Sequence, residues 1–185
     1  MILFSENKQL DDDLKQQLWD TIKPPDNKFS SSYLRNASIS FLVPFYSDII
    51  SRGMNYLGLE KRSAYDWRMW YQCYNKDSDT HLLHDHYSGD ELISWVHVIS
   101  DANDKCFYFE LGEEKVYPEN QSSGNFFMFP SWAMHGVKQV ETDETRLIVA
   151  GNVAFSYYKG ASLSLKISKY PNSKIIDIEK GGCYD

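Results

Sequence analysis

Two short pieces of this chain hold four of its five histidines: His81-Leu82-Leu83-His84-Asp85-His86, and Phe129-Pro130-Ser131-Trp132-Ala133-Met134-His135-Gly136-Val137. His84 and His86 stand two apart, so on an extended strand their imidazoles leave the same face. His135 follows the apolar run Phe126-Phe127-Met128-Phe129, which reads as a buried strand. Two imidazoles from one strand and a third from a distant strand can cap one side of a metal ion. Imidazole suits iron, zinc, copper and nickel alike, so the donor type leaves the metal open. Arg146 follows eleven residues after His135. Everything else reads as scaffold for this group.

The scaffold begins with a helix. Leu10, Leu14, Leu18 and Ile22 recur every four residues in a polar background, and Pro24-Pro25 stops the run. Asp11, Asp12 and Asp13 fall at its start, where the helix dipole favours carboxylates. Residues 26–37 are polar and read as a loop. From Ser38 to Leu57 apolar residues return at helical spacing, with Phe41, Phe45 and Ile49 on one row and Leu42, Tyr46, Ile50 and Met54 on the next. Pro44 either ends or kinks a helix before it or begins a new one after it. Gly58 is the stop. Both helices are expected to cover one outer face of a sheet.

Past Arg62 the period changes. Asp66–Tyr74, Leu92–Ser100, Lys105–Leu111, Gly124–Phe129, Gly136–Val140 and Arg146–Phe155 all read as short strands between turn-rich links. Such even spacing indicates a sandwich or barrel rather than alternating β and α units. Ser162–Ile167 and Lys174–Ile178 are expected to add an edge hairpin, and the Gly181-Gly182 tail to fray. No internal repeat or inter-domain linker stands out. One domain over 1–185 is expected, with a helical flank (1–60), a β core (61–160) and a C-terminal extension (161–185).

Composition narrows the setting. Thirteen Tyr, ten Phe and five Trp favour a sheet-rich core. A net charge of −7 argues against a protein that coats nucleic acid through bulk charge. Cys73, Cys106 and Cys183 form an odd set without CxxC spacing, which favours a reducing cytoplasmic setting over a disulfide framework. No run reaches the length of a membrane span, and the opening residues are too short for a secretory leader.

The ordered set His84-x-His86, Gly124-x-Phe-x-x-Phe129-Pro130-Ser131-Trp132-x-x-His135-x-Val137, Arg146 and Asn152 resembles the iron- and 2-oxoglutarate-dependent oxygenases. In detail it is most similar to small oxygenases of bacteria and their phages, distant relatives of prolyl hydroxylases. It also resembles the wider cupin superfamily, whose first motif places Glu after His-x-His, as Glu91 stands here. The match covers about residues 66–155 and leaves the helices and the tail outside it. It implies a mainly β fold, a double-stranded β-helix (jelly roll), here with two flanking N-terminal helices. It further implies His84 and His135 as ligands of Fe(II), with His86 in the remaining ligand slot. The resemblance also implies that Arg146 takes the far carboxylate of 2-oxoglutarate, a role suited to its planar fork. Tyr74 resembles a tyrosine that helps hold the co-substrate.

Two residues depart from the family pattern. His86 stands where most of these oxygenases carry Asp or Glu, and Asp85 points to the opposite face of a strand. Ile148 replaces the Ser or Thr often found two residues after the arginine. Of the remaining groups, His81 is expected at the rim of the site and His97 in the core. Trp70, Trp95 and Trp132 read as core, with a substrate cleft as the alternative, and Glu91 either orients a ligand or is solvated. The function implied is hydroxylation of an unknown substrate, with a protein side chain, a small metabolite and a nucleobase all open. The rivals are a metal cupin that does not use 2-oxoglutarate and a non-catalytic jelly-roll binding module. Oligomeric state is not encoded in any feature noted above.

Overall fold

The computed structural model describes residues 1–22, 30–31, 38–59, 64–78, 80–87, 91–100, 105–156, 173–177 and 182–184. Helix α1, Asp12–Thr21, starts where Asp11 caps it: the Asp11 carboxylate accepts from the Leu14 N–H at 2.8 Å. Leu10 and Leu18 are buried. A 3₁₀ turn, Ser40–Leu42, leads into α2, Val43–Tyr56. Pro44 lies in the first turn of α2, where a missing N–H costs no hydrogen bond, so it begins a helix rather than kinking one. Gly58, at φ 69°, takes the left-handed conformation that closes the run.

Twelve strands are present among the described residues: β1 Phe4–Asn7, β2 Ser30–Ser31, β3 Ala64–Tyr74, β4 His81–His84, β5 Glu91–Ser100, β6 Phe107–Leu111, β7 Glu114–Val116, β8 Asn125–Pro130, β9 His135–Val137, β10 Arg146–Ser156, β11 Ser173–Asp177 and β12 Gly182–Tyr184. The larger sheet runs β1-β8-β5-β10-β3-β11-β12, with β2 also on β3, and the smaller runs β4-β9-β6-β7. Every pairing is antiparallel. This is the double-stranded β-helix that the sequence leads one to expect.

The two-residue side-chain period divides the larger sheet into two faces. Trp67, Met69, Tyr71 and Cys73 of β3, with Trp95, Phe126, Met128 and Val149, pack under Leu18, Tyr46, Ile49, Ile50 and Met54 of the helices. The intervening Trp70 and Tyr74, with Val96, Phe127, Phe129, Ile148 and Ala150, meet Phe107, Phe109 and Val137 of the smaller sheet. Gly151 lets β10 run close between its neighbours, since a Cβ there would overlap the Arg68 carbonyl and the Trp95 ring.

Several expectations change. β1, β2 and β7 are additions, because each is too short to show a period, and β2 lies within the stretch expected to be a loop. Ser162–Ile167 lies outside the described residues. Ser173–Asp177 pairs with β3, and its other neighbour is Gly182–Tyr184, so the expected loose tail is an edge strand. Trp132 is 61% exposed rather than core. It stands in a tight turn, where the buried Ser131 and Ala133 take the inward positions on either side of it.

Candidate metal centre

β4 and β9 lie side by side in the smaller sheet, and the register sets His84 directly opposite His135. Their ring centroids are 4.4 Å apart. β4 ends at His84, so His86 lies beyond the strand expected to carry it. It nevertheless turns to the same side, 5.0 Å from the rings of both His84 and His135. One nitrogen from each of the three imidazoles falls within 4.8 Å of the others. Trp70 stands 5.7 Å from His86, Phe107 5.5 Å and Phe129 5.0 Å from His135, forming an aromatic wall behind the group.

The protonation pattern suits a cation. Nδ1 of His84 donates to the Leu82 carbonyl at 2.7 Å, and Nδ1 of His135 to the Ala133 carbonyl at 2.8 Å. A carbonyl only accepts, so Nδ1 carries the proton and Nε2 keeps its lone pair. Burial pushes His86 down to about 3 and His135 down to about 4, with neighbouring imidazoles adding to the depression. Both rings are therefore neutral near pH 7, the form that binds metal.

Arg146 and Tyr74 face each other as cross-strand partners on β10 and β3. Both are buried, Arg146 completely. Arg146 Nη2 lies 3.5 Å from Gln121 Oε1, and the Gln121 carboxamide also bridges the backbone N–H and carbonyl of Phe107 at 3.0 and 2.8 Å. The Tyr74 hydroxyl donates to Gln72 Oε1 at 2.9 Å and lies 3.1 Å from His81 Nδ1. Burial raises its pKa well above the ordinary tyrosine value, so it stays protonated.

The three histidines, His81, Gln72, Trp70 and Ser94 are among the residues lining one pocket, and Arg146 and Tyr74 are not among them. His81 is thus more than a rim residue. It opens β4, stacks on His84 at 4.3 Å, and burial pushes it down to about 3. Sequence reasoning missed Gln72, although two residues before Tyr74 on a strand means the same face. Gln121 carried no comparable signal. Glu91 pairs with Arg68 at 2.8 Å, and both are part-buried. His97 is a core residue as expected, hydrogen-bonded to the Tyr46 hydroxyl at 2.8 Å and the Lys8 carbonyl at 2.9 Å.

The fold is similar to those of solved enzymes. A Pseudomonas putida prolyl-4-hydroxylase superposes with TM-score 0.56 at 14% identity, over 82% of this chain and 91% of that one. The non-heme alpha ketoglutarate dependent carbocyclase SnoK, from nogalamycin biosynthesis, gives 0.58 at 12% identity, over 87% and 85%. The related alpha ketoglutarate dependent epimerase SnoN gives 0.57 at 10% identity, over 80% and 76%. The fold is that of the 2-oxoglutarate-dependent oxygenases. At these identities the likeness is one of fold. No family model matches the chain, and no curated protein matches it in sequence. No helix among the described residues is long and apolar enough to cross a membrane.

Proposed function

We infer that the chain is an Fe(II)- and 2-oxoglutarate-dependent dioxygenase, with residues 1–185 forming one catalytic domain. The observation that carries this reading is the meeting of His84, His86 and His135 within 4.8 Å, inside a fold that oxygenases share. The donor set fits iron: imidazole ligates Fe(II), and two of the three rings are oriented through Nδ1 by a backbone carbonyl. When bound, iron and 2-oxoglutarate together supply oxidative decarboxylation to succinate and carbon dioxide, coupled to hydroxylation of a C–H bond.

The protein's own residues do the rest. His84, His86 and His135 hold the metal from one side and leave its other positions to ligands. Arg146 receives the far carboxylate of 2-oxoglutarate through its fork, and the Tyr74 hydroxyl supports it from the neighbouring strand. Trp70, Phe107 and Phe129 exclude water from the inner side. The substrate is a small molecule or a protein side chain. One solved neighbour, a prolyl hydroxylase from Trichoplax adhaerens, is in complex with a peptide fragment. Cys73 and Cys106 are buried free thiols, which agrees with a cytoplasmic setting.

A second reading, a metal cupin that does not use 2-oxoglutarate, is favoured by two observations. His86 takes a slot where a carboxylate is usual, and Arg146 is not among the residues that line the pocket. An Arg146→Ala variant separates the two readings. Lost 2-oxoglutarate affinity with metal binding intact supports the oxygenase, and unchanged affinity removes that role from Arg146.

A further inference from the structure

The third imidazole has no strand to hold it, because β4 stops at His84. Among the described residues its backbone is tied to Ser131 instead. The His86 N–H donates to the Ser131 carbonyl at 2.9 Å, and the Ser131 N–H donates to the Leu92 carbonyl at 3.0 Å. The Ser131 side chain is completely buried, and its hydroxyl lies 3.0 Å from that of Ser94. Ser94 donates on to Asn152 Oδ1 at 3.0 Å. A serine has one proton to give. With that of Ser94 committed to Asn152, the Ser131 hydroxyl must donate to Ser94. The direction of the whole chain is thereby set.

Ser94 and Asn152 are cross-strand partners on β5 and β10, the two strands at the centre of the larger sheet. All three side chains are 0–1% exposed. Burying three polar side chains in an otherwise aromatic interior stabilises less than apolar packing would. The Asn152 Nδ2 has no hydrogen-bond partner among the described residues, which adds to that cost. What the chain achieves is geometric. It fastens the turn after β8 to the rigid sheet, and through that turn's carbonyl it fastens the backbone of His86.

We propose that Ser131, Ser94 and Asn152 are positioning residues that fix His86 against His84 and His135. The inference rests on reading those three histidines as a metal centre. It explains why Asn152 and Ser131, which no catalytic role absorbs, are polar at buried positions.

The test uses Co(II) as the probe, added to metal-free protein without oxygen. Its visible spectrum and dissociation constant are read alongside exchange of the His86 amide, followed by NMR in the metal-free protein. Ser131→Ala removes one oxygen atom and is the mildest variant, and Asn152→Leu breaks the far end. Each is expected to weaken Co(II) about tenfold or more, as losses around metal ligands do, and to alter the spectrum. His86 exchange should quicken relative to the amides of β5. The double variant should lose no more than the worse single one, because one chain is broken twice. Ser78→Ala, a buried serine whose hydroxyl bonds, among the described residues, to Asn75 of its own turn, should change none of these readings. Wild-type Co(II) affinity and wild-type His86 exchange in Ser131→Ala would overturn the proposal. If the wild-type protein takes no Co(II), the metal reading itself fails, and the His86 amide alone then decides whether the chain holds that segment.

Discussion

His84 and His135 are fifty-one residues apart in sequence, yet they occupy facing register positions on neighbouring antiparallel strands. Their centre therefore exists only when β4 pairs with β9. His135→Ala should abolish metal uptake while leaving the metal-free fold cooperative, because an imidazole beside a pocket is not a keystone of either core. His84→Ala should do the same. Equilibrium dialysis with iron and a urea titration of the metal-free variants check both halves of this expectation. Undiminished uptake in either variant would remove that residue from the centre.

His97 makes stability depend on pH. Burial pushes it down to about 4, against an ordinary value of 6.5, so the folded protein keeps it neutral where the unfolded chain takes up a proton. The stabilisation is complete above pH 6.5 and is lost as pH falls from there toward 4. The gap corresponds to about 3 kcal/mol at most. His81, His86 and His135 shift in the same direction and add to the slope in metal-free protein. Urea midpoints between pH 7 and pH 4.5 should fall steadily, and His97→Gln should flatten part of that fall. An equal slope in the variant would assign the effect elsewhere.

Gly151 should tolerate no side chain. A Cβ would press on the Arg68 backbone carbonyl and the Trp95 ring, and backbone cannot give way as a flexible side chain can. Gly151→Ala is expected to cost about 1–3 kcal/mol in urea unfolding, the range for an overpacked core. Gly112, where a Cβ meets nothing, lies on an exposed turn. It adopts a positive φ of 66°, so Gly112→Ala should cost less, through backbone strain alone.

What could be read from the sequence follows from period and residue type. Long strands such as β3 and β10 announce themselves by aromatic and β-branched content, although the split of Trp67 and Met69 from Trp70 and Tyr74 onto two faces emerges only in the structure. The three histidines were legible because so few occur elsewhere. Pro44 was ambiguous, since a proline restricts both the residue before it and the helix after it. His86 was assigned to a strand because the two-residue rule assumes that the strand continues, and nothing in Asp85-His86 says that pairing has ended. The Ser131–Ser94–Asn152 chain was not legible at all. It joins three distant elements through hydroxyls that look, one at a time, like ordinary polar residues.

Chelation by 2-oxoglutarate of iron held by His84, His86 and His135 would show in a visible spectrum of the metal-free protein, recorded without oxygen as Fe(II) and then 2-oxoglutarate are added. A weak charge-transfer band that appears only when both are present is the expected result, and it should vanish in His135→Ala. Iron that binds without producing that band on addition of 2-oxoglutarate would contradict the oxygenase reading, and a protein that binds no iron would contradict the centre.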